Sequence, residues 1–151
     1  MKNLTLEHIA EACHGTYVGP KEAKNICVTS ITSDSRKVEK GCLFVPIVGA
    51  RVDGHNFINM AFESGASVSL TSKEIQVEWE DKALVLVDDT LKAFQQIAAY
   101  QRSKFPVPLI GITGSVGKTT TKEMISAALS KELNILKTQG NLNSQIGLSL
   151  M

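Results

Sequence analysis

Apolar positions along this chain follow a helical period in some stretches and a strand period in others. Leu6, Ile9, Ala10 and Cys13 recur at helical spacing, with Thr5 placed to cap the first turn and Gly15 to stop the helix. Short strand patterns follow at 16–18 and 26–30, and an apolar one at 41–48. Phe57, Ile58, Ala61 and Phe62 make the inner face of a short helix closed by Gly65. Residues 67–71 and 83–87 read as strands, the second an unbroken apolar run of the kind a parallel sheet covers on both faces. The charged stretch 73–82 between them reads as an exposed connection with one tucked indole, Trp79. Asp88, Asp89 and Thr90 cap a longer helix whose core stripe is Leu91, Phe94, Ile97 and Ala98 and which ends near Phe105.

Phe105-Pro106-Val107-Pro108 is the domain boundary this pattern favours, since two prolines stop a helix and stiffen a linker. Beyond it the pattern repeats: an apolar strand at 107–112, a glycine-bearing turn, a helix carried by Met124, Ile125, Ala128, Leu129 and Leu133, and a strand at 135–138. The fold class is α/β, with a small N-terminal α/β domain over 1–106 and the first β-loop-α-β unit of a phosphate-loop domain over 107–151. One such unit cannot cover both faces of its own strands and leaves apolar surface open. The expectation is therefore the N-terminal piece of a longer protein, able to bind a ligand without turning it over.

Composition narrows the classes. With 43% apolar and 21% charged residues among 151, the chain can bury a core and is not a disordered tail. A net charge of +1 offers no basic surface for nucleic acid, so any phosphate recognition must be local to a loop. Cys13, Cys27 and Cys42 are odd in number and lack metal-site spacing, which predicts reduced thiols. Neither a signal peptide nor a membrane-spanning run is legible, and the expectation is a cytoplasmic protein without membrane insertion.

The chemistry concentrates in Thr113-Gly114-Ser115-Val116-Gly117-Lys118-Thr119-Thr120. Strand, glycine turn, Gly-Lys-Thr and helix is the layout in which backbone N–H groups and a helix dipole converge on phosphate. Lys118 is placed for the outer phosphates of such a ligand, and the Thr119 hydroxyl for Mg²⁺. Three β-branched threonines in a first helical turn are a local cost that a metal-ligating hydroxyl would explain, and two lysines (Lys118 and Lys122) at its positive end cost roughly 0.3–1 kcal/mol each, a penalty that a bound polyanion reverses. The strict pattern wants a glycine where Ile112 stands, so the loop is a variant. A small-molecule kinase and a non-catalytic nucleotide-binding module stay open on these residues. Two further runs are polar: Thr32-Ser33-Asp34-Ser35-Arg36 at a strand end, where Arg36 could grip a phosphate, and an amide-rich stretch at 138–147.

The loop together with Lys122-Glu123-Met124, Asp34-Ser35-Arg36, the turn at 49–57 with Asp53, Gly54 and His55, and Thr138-x-Gly140-Asn141-x-Asn143 resembles the Mur ligases of peptidoglycan synthesis, in their order and at similar spacings. The resemblance implies a UDP-binding N-terminal domain, a central ATPase and a C-terminal domain, of which this chain contains the first and the opening of the second. It implies Ser33, Asp34, Ser35, Arg36, Asp53 and His55 at the uridine-diphosphate site. It implies Thr113, Gly114, Ser115, Val116, Gly117, Lys118, Thr119, Thr120, Asn141 and Asn143 around ATP, with Lys118 and Thr119 catalytic and Thr119 on Mg²⁺. Ser144 departs from a frequent family Asn. The implied chemistry is ATP-driven amide ligation by a monomer, with a UDP-MurNAc-peptide and D-Ala-D-Ala as substrates. Another ligase of the family, or a folylpolyglutamate synthetase, would carry a similar opening.

Overall fold

The computed structural model describes residues 4–76, 79–138 and 145–149. Its centre is a five-stranded sheet in the order β1-β5-β4-β3-β2, made of Thr16–Val18, Ala83–Leu86, Val68–Thr71, Leu43–Phe44 and Ile31–Thr32. Strands β2 to β5 are parallel in sequence order, and β1 closes one edge antiparallel to β5. The registers Leu43↔Val68 and Val68↔Ala83 place the apolar residues of β3, β4 and β5 in rows.

Side-chain alternation then sorts these rows onto two faces. Leu43, Val45, Val68, Leu70, Ala83, Val85 and Val87 point to one face, where α1 (Leu6–Ala12) and α3 (Thr90–Ser103) cover them with Ile9, Phe94 and Ile97. Cys42, Phe44 and Leu84 point to the other, under Ile58, Ala61 and Phe62 of α2 (Ile58–Glu63). Both caps expected from the sequence form: Thr5 Oγ1 accepts from His8 N–H (3.2 Å) and Asp89 Oδ1 from Lys92 N–H (2.9 Å).

Several boundaries differ from the sequence reading. Residues 26–30 form no strand; Val28 N–H donates to Leu4 O (2.9 Å) and Cys27 bridges Thr5, so this segment is spent on the N-terminus, and the strand comes one step later as β2. The 41–48 strand shortens to β3, with Val45 N–H still reaching Thr32 O (2.9 Å), because Pro46 has no N–H to continue the ladder. The α3 core stripe is Thr90, Ala93, Phe94 and Ile97, with Leu91 and Ala98 half-buried. Trp79 is exposed, and Ile75 is the residue of that connection packed on the α2 face.

The larger departure lies after α3. The Arg102 guanidinium donates to the carbonyls of Phe105 and Val107 (2.6 Å for the latter), fastening the proline-bearing linker to the helix end. Residues 107–112 and 135–138, both read as strands, pair with no strand among the described residues. The helix between them, α4 (Lys118–Leu129), forms but buries no residue. A short α5 (Gln145–Ser149) packs on α3, with Ile146 against the α1–α3 core. Among the described residues no helix is long and apolar enough to cross a membrane.

Candidate functional site

Because β2 to β5 run parallel, their carboxyl ends share one edge of the sheet, and the polar segments that follow them meet there. After β2, Thr32 Oγ1 accepts from Asp34 N–H (3.1 Å), and Asp34 caps the 3-10 turn Ser35–Lys37. The Asp34 carboxylate accepts from the Arg36 amide (3.1 Å) and takes the guanidinium bidentately through Nε and Nη2, both at 2.9 Å. These Arg36 hydrogen bonds hold the Asp34 carboxyl down at about 2. Ser33 and Ser35 flank the pair half-buried, while the Arg36 side chain is 85% exposed.

After β3 the chain makes a tight turn. Gly49 N–H donates to Val52 O (2.9 Å), and Gly54 N–H to Ile47 O (3.0 Å). A Cβ on Gly54 would lie 2.6 Å from Ile47 N and 2.8 Å from its carbonyl oxygen, so only glycine lets the turn lie down on the strand exit. Asp53 caps the 3-10 turn Gly54–Phe57 and receives His55 N–H (2.9 Å). The buried His55 ring bridges two elements. Nδ1 lies 2.6 Å from Asp53 Oδ1, and Nε2 lies 3.1 Å from both the amide and the hydroxyl of Ser72, just past β4. An amide can only donate, so Nε2 carries the lone pair and Nδ1 the proton. Asp53 Oδ2 meets Lys73 Nζ at 2.5 Å, and hydrogen bonds from Lys73 first and His55 second depress the Asp53 carboxyl far below its ordinary range. After β5, Thr90 Oγ1 donates to Pro46 O (2.5 Å), tying the start of α3 to the same edge.

The second cluster is the glycine turn before α4. Gly117 takes φ +80°, and Gly114 φ +153°, a backbone that L side chains rarely adopt. A Cβ on Gly117 would meet nothing within 4 Å, so the demand there is conformational and the space above the turn is open. No side chain caps α4, which leaves its first N–H groups without side-chain acceptors at the positive end of the dipole. Lys118 folds back onto Gly114 O, drawing the turn closed, and Thr113, Ser115, Val116, Thr119 and Thr120 stand exposed around it. Lys122 Nζ donates to Thr138 O (2.8 Å), so its charge is partly met by a carbonyl. Uncapped amides, open space beside Gly117 and a lysine at the turn are features a phosphate group would suit. Among the described residues no group of three or more His, Cys, Asp or Glu could hold a metal.

The structure thus places Ser33, Asp34, Ser35, Arg36, Asp53 and His55 along one sheet edge, and residues 113–120 in a separate turn. Asn141 and Asn143 lie outside the described residues. Sequence reasoning gave Ser72 and Lys73 no role and read Thr90 only as part of a helix cap; a serine and a lysine directly after an apolar strand were the available signal for the first two.

The Mur ligase family, catalytic domain, matches residues 27–108, and the Mur ligase middle domain matches residues 112–151. The UDP-N-acetylmuramoyl-tripeptide--D-alanyl-D-alanine ligase of Bacillus subtilis (strain 168) is 42% identical over 146 residues, 97% of this chain and 32% of that protein. A crystal structure of MurF from Acinetobacter baumannii superposes with a TM-score of 0.85 at 34% identity, covering 97% of this chain and 33% of that one. A MurF ligase from Thermotoga maritima, solved in complex with ADP, gives a TM-score of 0.72 at 33% identity over 80% of this chain and 28% of that one. The chain spans about a third of the length of the relatives it matches.

Proposed function

The chain belongs to the Mur ligase family, and on that premise we propose that it carries the UDP-substrate domain (1–106) and the opening of the ATP domain (107–151) of a peptidoglycan-precursor ligase. The reaction is the joining of D-Ala-D-Ala to UDP-MurNAc-tripeptide. The observation that supports an ATP-dependent step is the left-handed Gly117 opening onto an uncapped α4, with Lys118 held at the rim of the turn.

A carboxylate resists amines because it is anionic and has no leaving group. Bound ATP would supply a phosphoryl group to the tripeptide carboxylate with release of ADP, and the dipeptide amine would then attack the carbonyl carbon of the acyl phosphate and expel inorganic phosphate. Lys118, released from Gly114 O, and the amides at the start of α4 hold the transferring phosphoryl group as charge builds on it. By resemblance to the family, the Thr119 hydroxyl would hold Mg²⁺, and Asn141 and Asn143 would serve the nucleotide and the acceptor. The sheet edge bearing Arg36 holds the UDP end and the glycine turn holds ATP, so the two functions should fail independently.

Removing one phosphoryl-stabilising donor costs about 10²–10³ in rate. In a protein of the relatives' full length, Lys118→Ala abolishes ligation while UDP-substrate binding survives; phosphate release is the readout, and it requires both the UDP-linked peptide and the dipeptide. Release with one small hydroxylated acceptor alone identifies a kinase instead, and loss of UDP-substrate binding in Lys118→Ala overturns the two-site reading. For this chain by itself, titration should show UDP-substrate affinity partly retained and ATP affinity weak.

A further inference from the structure

The sheet edge contains a cation that the sequence pattern did not single out. We propose that Lys73 is a ligand for the phosphate-bearing part of the UDP-linked substrate, and that Asp53, His55 and Ser72 form its mount and do not touch substrate themselves. The proposal rests on the UDP-site reading above and assigns the residues within it.

Asp53 is fully committed inside the protein. Oδ1 accepts from the His55 amide (2.9 Å) and ring (2.6 Å), and Oδ2 from Lys73 (2.5 Å). Both His55 ring nitrogens are engaged as well, and the residue is only 6% exposed. A carboxylate turned toward a diphosphate would in any case repel it. Lys73 stands differently: an ammonium has three N–H donors, one is held by Asp53, and its side chain is 57% exposed.

The same device occurs two strands away, where Asp34 orients Arg36 by two hydrogen bonds and leaves the guanidinium 85% exposed. A carboxylate-held cation therefore follows β2 and another follows β4, on either side of β3. Adjacent strands lie about 4.8 Å apart, which sets the two strand ends about 10 Å from each other. A nucleotide sugar laid along this edge touches both. The position of Lys73 is rigid on two counts: β4 is paired on both sides, and the Ser72 amide is pinned to His55. Pre-orientation of this kind reduces the side-chain entropy lost when an anion binds.

Calorimetric titration of this chain with UDP and with uridine separates a phosphate contact from a structural one. In Lys73→Met, UDP affinity should fall about tenfold, the range of a charged hydrogen bond, with uridine affinity unchanged and a shallower salt dependence. Lys73→Arg should restore most of the UDP affinity. Equal losses for UDP and uridine, or no loss for either, overturn the assignment of Lys73 while leaving the UDP site standing. A wild-type chain that binds no UDP overturns the site reading and this assignment together. The mount has its own readout: His55 ring ¹⁵N shifts should report the Nδ1–H tautomer and stay fixed on saturation with UDP, and a UDP-induced change at Nε2 would make the ring a ligand and overturn its role.

Discussion

Residues 4–104 and residues 105–138 are written in the same strand–turn–helix pattern, and they end in different states. In the first stretch Leu43, Val45, Val68, Leu70 and Val85 are fully buried in a sheet with helices on both faces. In the second, Leu109, Met124 and Leu136 are 80%, 68% and 82% exposed, and only the helix has formed. A helix closes its hydrogen bonds within itself, so α4 needs no partner to exist. A parallel strand closes all of its bonds to other segments, and residues 107–112 and 135–138 have no such neighbour among the described residues. Pattern alone therefore specifies helices locally and strands only conditionally.

The largest expected effect tests this contrast directly. Phe94, fully buried between α3 and the sheet, should cost about 3–5 kcal/mol on Phe94→Ala through lost burial and a cavity. Leu136→Ala, at 82% exposure, should stay within about 0.5 kcal/mol. Urea unfolding followed by circular dichroism measures both, and comparable losses would mean that 105–138 shares the core of the sheet. A step smaller, Gly54→Ala forces a Cβ to within 2.6 Å of Ile47 N and should cost about 1–3 kcal/mol as overpacking. Gly117→Ala meets open space and should leave the unfolding midpoint unchanged, its left-handed strain of about 1–2 kcal/mol appearing only as faster amide exchange at the start of α4.

The same contrast explains how much was legible in the residues. The α1 and α3 caps, the α2 face and the apolar runs of β4 and β5 were readable because each is a local signal of spacing or of hydrogen-bonding side chains. The strand at 26–30 was misread because Val28 and Cys27 pair with the N-terminus, a contact with no signature in periodicity. Among the candidate residues, Arg36 and the glycine turn stand out by residue type alone. The partnership of His55 with Ser72, 17 positions away, depends on α2 and β4 returning the chain to the same edge, which no local pattern encodes. Asp53 and His55, expected at the uridine-diphosphate site, lie at that edge with their polar atoms facing each other.

A helix cap offers an intermediate test. Asp89→Ala removes the acceptor for Lys92 N–H and should cost about 1 kcal/mol of global stability, because α3 is part of the core. Helix α4 has no side-chain cap to lose. Its amides should exchange faster than those of α3 in native-state hydrogen exchange, and equal protection would place α4 in the same cooperative unit as the sheet.

The smallest effect is also the most local, and it compares two exposed carboxylate–cation pairs. Asp34 is held down to about 2, chiefly by the Arg36 side chain and then by the Arg36 amide, within one 3-10 cap. Glu123 is also lowered, chiefly by Lys137, which reaches it from the far end of the unpaired segment. Both folded values lie below the ordinary carboxylate range, so the ionised forms are favoured by the fold. Any stability these pairs supply is present above that range and is lost as pH falls through the folded value, about 2 for Asp34. Salt screens both, since both are exposed. The Asp34 shift includes a backbone amide fixed by the cap and should largely persist at about 1 M salt, where the Debye length is near 3 Å. The Glu123 shift depends chiefly on a lysine whose backbone no strand partner holds among the described residues, and it should collapse toward the ordinary value. Carbon-detected NMR titration of the two carboxyls, with Arg36→Met and Lys137→Met as references, reads both at once. A Glu123 shift as salt-resistant as that of Asp34 would show that residues 135–138 are held as firmly as the sheet edge, and the difference between the two regions would then be one of burial alone.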